Sequence, residues 1–370
     1  MDRFFPISQP SISHEELAYV SDAVRSGWVS SMGKYIEQFE DEFAAYCGTE
    51  YALTTSSGTT ALHLALACLG VGSTNEVVVP DLTFVATANA AAYTGARVVS
   101  VDIDEDTLCM DPSVLERSIT ERTKAVIPVH LYGHPADMAA INAIARKHNL
   151  WVIEDAAEAH GAEFQGRRVG SLSDCGVFSF YGNKMITCGE GGMITTNDKD
   201  IYQRAKYLRD HAMSQDRRYW HTAVGFNYRM TNLQAALGVA QLAKIDLFVE
   251  KRRQIMNWYR EQFEGHAGLR LNSERTGAKN VFWMVCLEID GMTDDGRRRF
   301  MDELRAHGVD SRPYFYPISD MPMYRASETP VSHRVSPKGI NLPSFFDLSQ
   351  SGVAYICQQV RACLGRRTHL

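Results

Sequence analysis

FSFYGNKMITCGEGGM, residues Phe178–Met193, is the stretch that decides how this chain is read. An apolar run, CGVFSF at Cys175–Phe180, empties toward Lys184. A glycine-rich turn follows, then a second apolar run, GGMITTN at Gly191–Asn197. Lysine is costly to bury and prefers solvent. At the mouth of an apolar strand it is either a surface lysine in a loop or a nucleophilic amine tuned by its surroundings.

Upstream, apolar runs alternate with helix-like segments. YALTT (Tyr51–Thr55) precedes GTTALHLALACLG, EVVVP (Glu76–Pro80) precedes TFVATANAAAYTG, and ARVVSVDI (Ala96–Ile103) precedes PSVLERSI. KAVIPVHL (Lys124–Leu131) precedes DMAAINAIARKH, and LWVIEDAA (Leu150–Ala157) completes a set of seven runs with the two already quoted. Near-continuous apolar strands separated by helices predict an α/β fold with a mainly parallel seven-stranded sheet covered on both faces. In such sheets function gathers at the carboxyl ends of the strands, so Ser57–Thr59, Thr83–Phe84, Asp155 and Lys184 should share one rim.

After about Asp198 the pattern changes. DIYQRAKYLRDHA reads as a helix, and Asn232–Gly265 as one long helix with room for a kink. A strand (Val281–Ile289), a helix (DDGRRRFMDELRAHG), a strand (DSRPYFY) and a final helix (LSQSGVAYICQQVRACL) follow. The expected division is residues 1–245 as a large domain and 246–370 as a smaller C-terminal α+β domain, a length of 370 residues being enough for about two.

Composition narrows the partners. Net charge is −6, so no overall basic field draws the chain to nucleic acid or membrane, and an anionic substrate needs a local cationic site. No apolar run is long enough for a membrane span. The start, MDRFFPISQPSISHEEL, has no secretory apolar core. The eight cysteines form no CxxC pair and read as reduced, buried thiols of a cytoplasmic protein. No histidine cluster has metal-ligand spacing.

SSGTTAL, Ser56–Leu62, places a glycine where a strand ends and a helix begins. The unpaired amides of a helix start favour an anion, although an ordinary N-cap explains the same residues. IEDAAEAHGA, Ile153–Ala162, ends a strand in two carboxylates that point opposite ways, because side chains alternate along a strand. Asp155 could be a helix cap, or a fixed carboxylate that keeps a heterocyclic nitrogen protonated. Anion-binding turn, carboxylate and late lysine together suit pyridoxal 5′-phosphate, whose protonated ring is an electron sink.

At this point the sequence resembles the sugar aminotransferases of the DegT/DnrJ/EryC1/StrS group over essentially its whole length. SSGTTALHLAL, PVHLYGHPADM, VIEDAAEAHGA, FSFYGNKMITCGEGGM and GFNYRMTNLQAALGVAQL carry the resemblance. It implies the type I pyridoxal-phosphate-dependent transferase fold. It implies that Lys184 bonds the cofactor, that Asp155 holds the pyridine nitrogen, that Gly58, Thr59 and Ser179 take the phosphate, and that Phe84 stacks on the ring. Glu158 stands where many relatives carry glutamine facing the ring hydroxyl, a place in which a carboxylate needs a proton or a water. Asn227 matches an asparagine that reaches the cofactor phosphate of a neighbouring subunit, which implies a homodimer with shared active sites.

RYWHTAVGFNYRM and RPYFYPISDMPMY resemble the members that aminate C4 of GDP-4-keto-6-deoxy-mannose, a nucleotide-diphosphate keto sugar, with glutamate as donor. Arg229, Arg312 and His221 are the candidate substrate contacts, with Arg217–Arg218 beside Tyr219–Trp220. His221 is equally readable as a loop histidine. The alternatives are a transaminase for a dTDP- or UDP-linked keto sugar, or a ligand sensor that keeps the fold without turnover.

Overall fold

The structure, a computed structural model, describes residues 4–365. In chain order its strands are β1 (Tyr51–Thr55), β2 (Glu76–Pro80), β3 (Arg97–Val101), β4 (Thr123–Val126), β5 (Trp151–Asp155), β6 (Glu163–Phe164), β7 (Arg167–Arg168), β8 (Cys175–Ser179), β9 (Gly192–Thr196), β10 (Leu269–Leu271), β11 (Ala278–Lys279), β12 (Val285–Ile289), β13 (Arg312–Pro313) and β14 (Gly339–Leu342). Seven form one sheet in the order β1-β9-β8-β5-β4-β2-β3. Its pairs are parallel from β8 through β3, and only β9, inserted between β1 and β8, runs against its neighbours. All seven strands fall inside the seven apolar runs or begin one residue ahead of them.

Each strand serves two cores because successive side chains face opposite ways. Val77, Val79, Ile153, Val177 and Ile194 face one core with helices Gly58–Cys68, Ala86–Tyr93 and Lys199–Arg209. Val78, Val126 and Val152 face the other side, toward the helix Met138–His148, while Phe178 and Met193 meet the helices Lys34–Cys47 and Asn232–Leu242. A sheet covered on both faces has no polar side to present, which is why its strands read as unbroken apolar runs.

A second sheet, β10-β12-β14-β13, is antiparallel and packs with helices Ile245–Phe263, Asp294–Ala306 and Gln350–Gly365 around a separate core. Phe5 belongs to that core and bridges to Val309, so the start of the chain reaches across to it.

Several lengths differ from expectation. The long helix is two, Asn232–Leu242 and Ile245–Phe263, broken at Ala243–Lys244. The strand expected to run to Leu131 stops at Val126: Pro128 has no amide hydrogen for the ladder, and Tyr132 takes a left-handed φ of 53°. The strand expected from Val281 starts at Val285, because Phe282 sits at φ 47°. DSRPYFY contributes only Arg312–Pro313 to a strand. All eight cysteines are buried free thiols. Among the described residues no helix is long and apolar enough to cross a membrane, and no group of three or more His, Cys, Asp or Glu side chains is placed to hold a metal.

Candidate active site

A cavity of about 300 Å³ opens at the carboxyl rim of the large sheet. Its walls include Gly58, Thr59, Phe84, Asp155, Glu158, Ser179 and Lys184, residues spread over 126 positions of sequence and gathered by parallel strands that all end at one edge. A larger groove of about 780 Å³ adjoins it, sharing Thr83, Phe84, Tyr181, Asn183, Trp283 and Phe315.

The floor is a close approach of helix to strand. Ser57 caps the helix Gly58–Cys68: its hydroxyl accepts from the Thr60 amide, and Thr60 bonds back to the Ser57 amide. The amides of Gly58 and Thr59 open the helix and have no carbonyl one turn back to bond. A β-carbon on Gly58 would lie 2.8 Å from Ser179 Cβ, so only glycine lets the helix start sit on the end of β8.

Asp155 ends β5 inside the cavity. Its Oδ2 accepts from the Thr87 hydroxyl at 2.8 Å and its Oδ1 from the Ala157 amide at 3.2 Å. Burial pushes its carboxyl above the usual range, opposed by those two bonds and by the charge of Lys184. Glu154, one residue earlier, faces the opposite core. It accepts from the amides of Gly170 and Leu172, each at 2.8 Å, and from His130 Nε2 at 3.0 Å. His130 Nδ1 accepts from the Ala136 amide, so the ring proton is on Nε2. The alternation of the strand therefore separates a cavity carboxylate from a structural one.

Lys184 reaches the same space with its side chain only 12% exposed. Its Nζ is 3.8 Å from Glu158 Oε1, an ion-pair distance and too long for a hydrogen bond. It also stands over the Trp283 ring, 4.1 Å from the centroid. Burial lowers its pKa, opposed by the charges of Glu158 and Asp155. Burial pushes Glu158 up to about 7, against the pull of Lys184 and of the Tyr132 amide, which donates to Oε2 at 2.9 Å. His160, behind them between Phe178 and Phe180, is pressed down to about 3 by burial and so is neutral.

Phe84 is 54% exposed on the rim, its ring 5.7 Å from Phe315. Arg312 lines the adjoining groove, paired to Asp310 at 2.7 Å. Three other expected residues lie outside both spaces of this chain. Asn227 is exposed and accepts from Arg229 Nε at 3.2 Å, Arg229 pairs with Asp210 at 2.7 Å, and His221 Nδ1 donates to the His211 carbonyl, 2.8 Å away.

Sequence reasoning missed three participants. Thr87 lies in the first turn of the helix Ala86–Tyr93, with its hydroxyl 3.2 Å from that of Thr83 just ahead of the helix. Tyr132 contributes through its amide, not its side chain. Trp283 lies just ahead of β12, and nothing local announces its destination.

This α/β fold, with its mainly parallel seven-stranded sheet, is that of the type I pyridoxal-phosphate-dependent transferases, and its rim brings a largely buried lysine before two buried carboxylates beside an anion-ready helix start. Residues 10–361 match the DegT/DnrJ/EryC1/StrS aminotransferase family, and the chain belongs to that family of pyridoxal-phosphate-dependent sugar aminotransferases. It is 43% identical over 360 residues to the GDP-perosamine synthase of Escherichia coli O157:H7, covering 97% of this chain and 98% of that one. It is 44% identical over 352 residues to the GDP-perosamine synthase of Caulobacter vibrioides, covering 94% and 95%. Its structure matches that of a putative sugar aminotransferase of Streptococcus pneumoniae in its PLP form with a TM-score of 0.93 and 26% identity, covering 98% of this chain and 99% of that one.

The residues fit the cofactor. A glycine whose Cβ space is already taken by Ser179 brings two free helix amides to the cavity, as a phosphate requires. An amine and a carboxylate stand in the same cavity, as an aldehyde and a ring nitrogen require.

Proposed function

We propose that this chain transfers an amino group from glutamate to C4 of GDP-4-keto-6-deoxy-mannose, giving GDP-perosamine, in the cytoplasm and as a homodimer with shared active sites. The observation that carries the reading is its identity of 43% and 44%, over nearly the whole chain, to two GDP-perosamine synthases. The cavity supports the chemistry and the sequence likeness supports the sugar.

Bound pyridoxal phosphate supplies an aldehyde that carries the amino group and a ring that accepts the electron pair left by a departing proton. Lys184 would hold that aldehyde through its Nζ until a donor amine takes its place. Once freed, its Nζ would take the proton released from the donor α carbon and return it, acting as general base and then acid. Burial, by lowering the lysine pKa, keeps a neutral fraction available for both tasks. Asp155, held by Thr87 and Ala157, would keep the ring nitrogen protonated. Glu158, titrating near neutrality, holds a proton toward the ring hydroxyl oxygen, which answers the difficulty of a carboxylate at that position. Gly58, Thr59 and Ser179 would hold the phosphate, and Phe84 would cover the ring.

Asn227 is exposed and outside its own chain's cavity, a placement that suits service to the site of a second copy. Arg229 and His221 belong with it, and Arg312 meets the diphosphate from the adjoining groove. The chain divides near residue 246 into a cofactor-binding unit and a smaller unit that brings Trp283 and Phe315 to the rim.

The test is a panel of GDP-, dTDP- and UDP-linked keto sugars with glutamate, reading 2-oxoglutarate release. Turnover should require the GDP-linked 4-keto-6-deoxy sugar. Faster release with a dTDP or UDP sugar would overturn the sugar assignment, and absence of release with every sugar would overturn the enzymatic one.

A further inference from the structure

We propose that Trp283 is a positioning residue for Lys184: its indole N–H fixes the carbonyl of Asn183, and its ring face receives the lysine amine whenever that amine is charged. The inference rests on the reading of Lys184 as the group that picks up a proton during transfer.

Trp283 is buried, and its contacts are directional. Nε1 donates to the Asn183 carbonyl at 2.8 Å, one residue before the lysine. The Ser8 hydroxyl donates to the same carbonyl at 3.2 Å. The indole thus pins the backbone that carries Lys184 while its face lies 4.1 Å from Nζ. Trp is the aromatic face that attracts a cation most strongly.

The tryptophan is itself held. Its carbonyl accepts from the Ser344 hydroxyl at 3.1 Å and from the buried Arg252 guanidinium at 3.4 Å. Its amide lies so near Gly133 that a β-carbon there would approach it to 2.8 Å. A residue held by its backbone carbonyl and by its indole N–H is a built part of the cavity wall.

The chemistry explains why such a face is useful. Lys184 is neutral when it bonds or takes a proton, and cationic between accepting that proton and delivering it. The other groups acting on the amine are Glu158 at 3.8 Å, Asp155 and the neutral His160. Glu158, if protonated toward the cofactor, offers the amine little charge. A neutral aromatic face steadies the ammonium without forming a hydrogen bond that would have to be broken to return the proton.

The test uses the full chain loaded with pyridoxamine 5′-phosphate, in which Lys184 is free. Cyanate modifies only the neutral amine, so carbamylation of the Lys184 peptide, followed by mass spectrometry against pH, reads the lysine titration. Trp283→Leu should move the midpoint down by about 0.5–1 pH unit, the shift expected when a desolvated cation loses an aromatic face. Trp283→Phe, which keeps a face and loses the N–H, should stay within about 0.3 unit of wild type, yet lower kcat with KM for glutamate unchanged, because the backbone before Lys184 is no longer pinned. A wild-type midpoint in the Leu variant overturns the proposal. So does a Phe variant shifted as far as Leu, which would make the effect one of packing. Lys184→Ala that keeps the visible absorbance of the holoenzyme would instead refute the lysine assignment, whatever Trp283 does.

Discussion

Gly58→Ala separates folding from cofactor binding at one position. The new methyl would sit 2.8 Å from Ser179 Cβ and 3.3 Å from Ser179 Cα. Carbon atoms rest at about 3.5–4.0 Å, so helix start and strand end must part by at least about 0.7 Å, the difference between 3.5 and 2.8. Neither Ser179 atom is the far end of a flexible chain, so the backbone has to give. Overpacking of this kind costs about 1–3 kcal/mol, offset by up to about 1 kcal/mol from the better helix former. Net destabilisation should therefore be about 0–3 kcal/mol. The same displacement stretches a 2.9 Å bond from the Gly58 or Thr59 amide to a phosphate oxygen to about 3.6 Å, which is no longer a hydrogen bond. One charge-assisted bond contributes about 1.5–3 kcal/mol, so cofactor affinity should fall about 10–100-fold. The assay pairs urea unfolding of cofactor-free protein with titration of pyridoxal phosphate followed by visible absorbance. A variant that loses stability as estimated but binds the cofactor within about twofold of wild type would refute the placement of the phosphate on this turn.

Three further outcomes are expected. Asp155→Asn should retain cofactor but lower turnover at least about a hundredfold, as when one partner of a buried charge pair is removed at a cost of about 3 kcal/mol; near-normal turnover would contradict the ring-nitrogen role. Mixing inactive Lys184→Ala with Asn227→Ala should recover about a quarter of wild-type activity if sites are shared, since half the dimers are mixed and each then owns one intact site; absence of recovery argues for independent sites. Glu158 titrates near 7 in the folded chain and near its ordinary 4.5 when unfolded, so the native state binds the extra proton between those values. Its contribution is fully present below about pH 4.5 and is lost as pH rises through about 7. The urea midpoint of cofactor-free wild type should therefore fall more steeply over that window than that of Glu158→Gln, and equal slopes would remove the assignment.

The large sheet was legible because burial on both faces leaves no freedom in composition: a strand such as EVVVP has no solvent side to show. Asp155 was legible for a related reason, since strand alternation separates it from Glu154 before any coordinate is known. The helices His14–Arg25 and Lys34–Cys47 went unread, although the first carries a plain signal: Ser13 and Glu16 form a capping box. The second starts after Gly33 and ends at Gly48 with φ 76°, a left-handed stop that glycine favours. The strand Gly339–Leu342 is four residues long, too short for periodicity to speak, and it exists because β12 and β13 flank it on both sides.

What the sequence could not carry is the meeting of the turn at Leu131–Gly133 with the segment ahead of β12, where backbone conformation contradicts local preference. Tyr132 at φ 53° and Phe282 at φ 47° both occupy the left-handed region, where a bulky residue costs about 1 kcal/mol or more. They lie on either side of one contact. Gly133, at φ 104°, lets its neighbour Tyr132 turn while leaving room for the amides of Phe282 and Trp283 within 3 Å of where a β-carbon would be. Each strained residue is over-determined by bonds. The Tyr132 amide is aimed at Glu158, its hydroxyl accepts from the Phe315 amide at 3.1 Å, and the Phe282 amide donates to Asn280 at 2.8 Å. The strain thus buys placement: one turn directs an amide at the carboxylate beside the lysine, and the other delivers an indole to the lysine itself. Relaxing either residue to ordinary φ would move Glu158's partner or Trp283 out of the cavity, so the contradiction with local propensity falls where the chemistry needs rigidity.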